Sequence, residues 1–263
     1  MNVTEIILEH TANEFITEIA IDSKEFCLDK SHFFNYPKQI VYHFNQLGYR
    51  DQEWHGDISN GIWCVGDSFT VGLGQPFEEI WPQLVQKKLG QKTFNMSMNG
   101  ASNDWIARRI QFILDNFEPS LLLVQWSYTH RRENSNTMLS DEARAGHFSK
   151  ELEMELEYIN HLPKTKQLDR ITVLDNLDIE NCLHNIMSIS NEHNVNIIHS
   201  FVPEFFNPLT DPQASIYSVL EKHNINFFPA QEQLDFARDG FHYDILTATH
   251  YADQYVSKIK TLS

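Results

Sequence analysis

Four short apolar runs set the main constraint on how this chain can fold. Ile62-Trp63-Cys64-Val65, Thr93-Phe94-Asn95-Met96, Leu121-Leu122-Leu123-Val124-Gln125 and Val195-Asn196-Ile197-Ile198-His199-Ser200-Phe201 each have the length and bulk of a buried strand. Segments with helical spacing lie between them. Asn103 to Phe117 places Ile106, Ile110, Ile113 and Leu114 on one face, and further helices are expected from Pro76 to Gly90, Asp178 to His193 and Leu246 to Ile259. Strands alternating with helices predict an α/β fold with a doubly wound, mainly parallel sheet. Ile225-Asn226-Phe227-Phe228 reads as a weaker last strand.

At 263 residues the chain can bury a substantial core, and 41% hydrophobic and 12% aromatic content suit a folded protein. Residues 1–60 read as an N-terminal extension packed on a main domain of 61–263, because they offer too small a core for a separate unit. Val3 to Leu8 is a candidate strand there, and Asn45 to Arg50 a turn leading into a polar loop. Residues 130–170 are rich in charge and read as an insertion that follows the third apolar run.

A formal charge of −16 opposes a phosphate-backbone partner and an anionic membrane surface. The one dense basic cluster, His130-Arg131-Arg132, is too short to track a nucleic acid, and a solvated loop is its plainer reading. Three cysteines far apart, with no CxxC pair, suggest neither a disulfide framework nor a zinc knuckle. Neither HExxH nor a P-loop or GxGxxG unit is present, so no metal and no cofactor are expected. The amino terminus is acidic rather than signal-like, and no apolar stretch is long enough to span a bilayer. A cytoplasmic protein acting on a neutral small molecule is the expectation, with oligomeric state open.

Three loops carry candidate chemistry. Val65-Gly66-Asp67-Ser68-Phe69 puts a serine just after the first strand, where α/β enzymes often hold a nucleophile. A hydroxyl needs a base, and the base an orienting group. Asp239-Gly240-Phe241-His242 provides both in one tight turn. Asn95 to Asp104, after the second strand, contains Gly100, whose N–H can approach a substrate closely. Each has a plainer reading as a capping turn or solvated loop. Trp81, Trp126 and Phe241 are candidates to line a cleft, although aromatics near strand ends are more often core.

Taken in order, these blocks resemble the SGNH/GDSL hydrolase family from about Asn45 to the C-terminus. Gly66-Asp67-Ser68 and the following Phe69 to Gly74 match the first block, Gly100 the second, and Asp239-x-x-His242 the last. The resemblance implies a flavodoxin-like three-layer α/β/α fold, with Ser68 as nucleophile, His242 as base and Asp239 as its orienter. The N–H groups of Ser68 and Gly100 would serve as oxyanion donors. The third block departs, because the family's Gly-x-Asn-Asp is absent and Tyr128 or Thr129 occupies the asparagine's place. Either hydroxyl can donate a hydrogen bond. Loss of one oxyanion donor costs roughly 2.7–4 kcal/mol of transition-state stabilisation. The expectation is therefore a serine esterase acting on a small or carbohydrate-linked acyl ester. A weak or inactive glycan-binding or assembly protein of the same fold is the alternative, as is an acyltransferase.

Overall fold

The computed structural model describes residues 15–16, 36, 38, 40–55, 58–128, 179–191, 194–203 and 213–262. The 130–170 insertion, Val3 to Leu8, Thr129 and His130-Arg131-Arg132 lie outside them. Strands β1 (Phe15–Ile16) and β2 (Tyr42–His43) form a small antiparallel pair. The main sheet consists of β3 (Ile62–Val65), β4 (Thr93–Asn95), β5 (Leu121–Trp126) and β6 (Asn196–Phe201). All pairings in it are parallel, and the spatial order is β4-β3-β5-β6.

Among the described residues the helices are α1 (Ser68–Val71), α2 (Trp81–Leu89), α3 (Asn103–Asn116), α4 (179–191), α5 (Gln213–Lys222) and α6 (Ile245–Leu262). The chain steps one way from β3 to β4 and back the other way to β5. Right-handed crossovers therefore place α2 and α3 on opposite faces of the sheet. Helix α6 joins α2, with the Tyr255 and Trp81 rings stacked at 4.5 Å. Helix α4 joins α3 through a 3.3 Å bond from Asn181 Nδ2 to Asp104 Oδ1. The architecture is a three-layer α/β/α fold.

Strands β3 and β5 are buried along their whole length, as expected for central strands covered on both faces. Ile106, Ile110 and Ile113 of α3 are buried and Leu114 only partly, so the 3.6-residue period identified the inner face of that helix.

Some expectations need correction. The segment from Pro76 to Gly90 is not one helix. Phe77–Glu79 forms a 3-10 turn, and α2 then starts at Trp81 with Pro82 in its first turn, where a missing N–H costs nothing. The strand expected at Ile225 to Phe228 is a single bridge between His199 and Phe227. Asn224 enters in the left-handed region (φ 54°) and Pro229 has no N–H to extend the ladder. Of the aromatics near strand ends, Trp81 and Trp126 follow the commoner, core reading and are fully buried. Their large apolar area, with each indole N–H bonded inside the protein, makes burial the favourable outcome. Helix α5 was not anticipated, and α1 begins at the serine itself.

Candidate functional site

In open parallel sheets, ligands bind beyond the carboxyl ends of the strands, where the direction of winding reverses. Here that point is the end of β3, between β4 and β5, and the next residues are Gly66, Asp67 and Ser68. Asp67 caps α1, its Oδ1 accepting from Phe69 N–H at 3.0 Å. Its Oδ2 accepts from Ser127 Oγ at 2.5 Å, which ties the end of β5 to the same turn. Gly66 admits no side chain, since a Cβ there would lie 2.0 Å from Thr70 Oγ1 and 3.0 Å from the Gln125 carbonyl oxygen.

A helix of four residues cannot satisfy its own backbone, so other groups must do it. Ser68 O accepts from the N–H groups of Gly72 and Leu73. Phe69 O accepts from Tyr243 Oη at 3.3 Å, Thr70 O from Asn95 Nδ2 at 3.2 Å, and Val71 O from Arg50 Nη1 at 3.1 Å. At the other end, Asp67 accepts from Phe69, Thr70 and Val71. Ser68 N–H has no acceptor among the described residues, and neither does Gly100 N–H. Gly100 lies in a tight turn with φ 76°, a conformation that favours glycine. Met98 N–H bonds Gly66 O at 3.2 Å and so holds that turn beside the serine loop.

Ser68 and His242 come together across the fold, with Ser68 Oγ 2.7 Å from His242 Nε2. Asp239 Oδ2 lies 2.5 Å from His242 Nδ1, while Asp239 Oδ1 accepts from the N–H groups of Phe241 and His242 at 2.9 Å each. All three side chains are buried, at 2% exposure or less. Burial pushes the Asp239 carboxyl up, but the imidazole charge and the hydrogen bonds from His242 and Phe241 outweigh it and hold the group below its ordinary range. An ionised Asp239 accepts from Nδ1–H. That leaves Nε2 to accept the Ser68 proton. Phe69 and Phe241 flank the imidazole at centroid distances of 4.6 and 5.1 Å. Phe241 is 36% exposed, whereas Trp81 and Trp126 lie in the core.

Tyr128 follows β5, half-buried and edge-on to Phe69 at 6.2 Å. Three residues that hold backbone or side chains around the site and the start of α6 were not singled out from sequence. Asn103 clamps it, with Nδ2 donating to Ser127 O at 3.2 Å and Tyr128 O at 3.1 Å, and Oδ1 accepting from Ser127 N–H at 2.9 Å. Gln125 Oε1 accepts from Thr70 Oγ1 and Tyr243 Oη. Asp235 fixes the start of α6, with Oδ1 accepting from Asp244 N–H and from the Thr247 N–H and hydroxyl, and Oδ2 from Leu246 N–H. An asparagine directly after Ser102, the α3 cap, was the one visible hint for Asn103. Nothing local marks Gln125 or Asp235.

No family model matches the sequence, and no curated protein matches it. Among solved structures, the chain is similar to TesA, with TM-score 0.45, 14% identity, and 77% of this chain and 99% of that one covered. The psychrotrophic esterase EstA from Pseudoalteromonas sp. gives TM-score 0.42, 16% identity, and 78% and 98% coverage. A family two carbohydrate esterase from Clostridium thermocellum gives TM-score 0.44, 15% identity, and 80% and 66% coverage. Likenesses this distant leave the chemistry to be read from the site itself.

Proposed function

We propose that this protein is a serine ester hydrolase of SGNH type, with Ser68 as nucleophile, His242 as general base and Asp239 as its orienter. The observation that carries the reading is the unbroken, buried hydrogen-bond path from Asp239 through His242 to Ser68 Oγ. As Oγ attacks an acyl carbon, its proton passes to Nε2 and the charge on the imidazolium is held by Asp239. The developing oxyanion takes the N–H groups of Ser68 and Gly100, with Tyr128 or Thr129 supplying the third donor. Collapse of the tetrahedral intermediate expels the alcohol, which takes the proton from His242. Water then repeats the sequence on the acyl-enzyme.

The substrate is a neutral acyl ester, small or carbohydrate-linked. Two features support this class. The chain carries a net charge of −16, which repels anions. The rings beside the imidazole, Phe69 and Phe241, are uncharged. A second reading, a non-hydrolytic binding or assembly protein of the same fold, is favoured by one observation: Asn103, whose carboxamide reaches the end of β5, is spent as a clamp on Ser127 and Tyr128. An acyltransferase needs the same residues and differs in whether an acceptor alcohol displaces water.

The test is fluorophosphonate labelling of wild type, Ser68→Ala and His242→Ala, followed by a screen of acyl esters. Labelling confined to wild type is the expected result. A well-folded wild type that takes no label refutes the nucleophile assignment and leaves the binding-protein reading.

A further inference from the structure

Arg50 is 1% exposed, so its cation is buried in the protein interior. It lies over the Tyr42 ring at 4.3 Å, and its guanidinium is directed at one turn of backbone. Nη1 donates to Val71 O at 3.1 Å and to Gly72 O, and Nη2 donates to Gln75 O at 2.7 Å. These carbonyls close the carboxyl end of α1, whose first residue is Ser68. Tyr42 acts on the same turn, its hydroxyl accepting from Gly74 N–H at 2.8 Å.

The far side of that turn holds the loop that carries Asp239. Gly74 O accepts from Arg238 N–H at 3.1 Å, and Gln75 Nε2 donates to Tyr243 O. The approach is close enough that a Cβ on Gly74 would lie 2.8 Å from Ala237 Cβ and 3.3 Å from Asp239 N. The turn at 72–75 is thus the common support of the serine and of the acid–base loop. A one-turn helix has no cooperative stability of its own, because nucleation costs more than a single turn returns. Its position is set by what grips its carbonyls.

We infer that Arg50 and Tyr42, from the segment before the main sheet, are positioning residues that set the distance between Ser68 and His242. The inference rests on the serine-hydrolase reading. It assigns residues 42–50 to the working site rather than to a dispensable extension. Neither residue touches the reacting atoms. Both act through the 71–75 backbone. Removing the grip lets α1 and the Asp239–His242 loop move apart, and a displacement of about 1 Å at a reacting pair costs on the order of 100-fold in rate.

The experiment measures fluorophosphonate inactivation in wild type, Arg50→Lys, Arg50→Met and Tyr42→Phe, separating the maximal rate kinact from the half-saturation constant KI, across pH. Amide hydrogen exchange over 69–75 and 237–242 is followed in the same proteins. Tyr42→Phe removes one hydroxyl and remains informative if the Arg50 variants do not fold. The expected result is a fall in kinact of roughly 10- to 100-fold at unchanged KI, a displaced midpoint of the pH profile, and faster exchange confined to those two segments. A purely structural residue would lower the melting temperature and leave kinact and the pH midpoint of the folded fraction alone. Folded Arg50→Lys and Tyr42→Phe with kinact within about twofold of wild type overturn the inference. If wild type takes no label, the serine-hydrolase reading has failed, and exchange alone decides the brace. Unchanged protection at 69–75 in the folded variants then overturns it, and selective opening there supports it.

Discussion

Asp239→Asn is the most discriminating single substitution, because it is nearly isosteric and alters one hydrogen position. In the structure Asp239 Oδ1 accepts two backbone N–H groups at 2.9 Å, and Oδ2 faces His242 Nδ1 at 2.5 Å. An asparagine keeps its carbonyl oxygen on the two backbone donors, which would otherwise be left unsatisfied. Its NH2 must then face Nδ1. A donor in that place forces the imidazole into the tautomer with its proton on Nε2, 2.7 Å from Ser68 Oγ. A protonated Nε2 cannot accept the serine proton. The corresponding exchange in the serine-protease triad lowers kcat about 10⁴-fold, or roughly 5.5 kcal/mol at about 1.36 kcal/mol per decade. The same loss is expected here in fluorophosphonate labelling and ester hydrolysis, with near-native circular dichroism at neutral pH. The variant also reports on stability. A carboxyl held below its ordinary range contributes stability that is present above the unfolded pKa and lost as pH falls through the folded value. That acid-side loss should be smaller in Asp239→Asn. A folded Asp239→Asn protein that labels within about tenfold of wild type refutes the tautomer argument and the role given to Asp239.

Asn103→Ala removes three hydrogen bonds that hold Ser127 and Tyr128 at the end of β5. A loss of about 1–3 kcal/mol is expected in urea unfolding, together with slower labelling. Equal stability in the variant would show that the loop after β5 does not need the clamp. Two further groups make opposite demands on pH. His199 is buried, and burial pushes its pKa down to about 3. Its stability contribution is present above the unfolded value of 6.5 and is lost as pH falls from there toward 3. Asp51 is also buried, and burial raises its pKa from 3.8 to about 6 against the hydrogen bonds from Asn95, Trp54 and Gln52. Its contribution is present below 3.8 and is lost as pH rises through 6. Between about pH 4 and 6 the two slopes, each at most about 1.4 kcal/mol per pH unit, oppose one another. Urea unfolding of Asp51→Asn should therefore show stability climbing with pH across this window more steeply than wild type. Parallel wild-type and variant profiles would refute the assignment.

Much of this protein was legible in one dimension. Short apolar runs alternating with helical periods specify a doubly wound parallel sheet, because strand burial and helix amphipathicity are local patterns with different periods. The glycine before Asp67-Ser68 and the tight Asp239-x-x-His242 spacing were readable for the same reason, since each depends on neighbours along the chain. Trp81 and Trp126 were readable only as a tendency toward the core, because the sequence alone does not fix whether an aromatic near a strand end faces the core or a cleft. Ile225 to Phe228 has the residues of a strand, yet a left-handed Asn224 and Pro229 confine it to one bridge. Only the tertiary structure decided that Ser68 and His242, 174 positions apart, meet at 2.7 Å. It also decided that a buried arginine from before the sheet grips the turn behind the serine. The strand order brings those loops to one end of the sheet, and long-range hydrogen bonds to backbone set their spacing. Neither leaves a periodic trace in the sequence, because any polar side chain of the right reach can make such a bond.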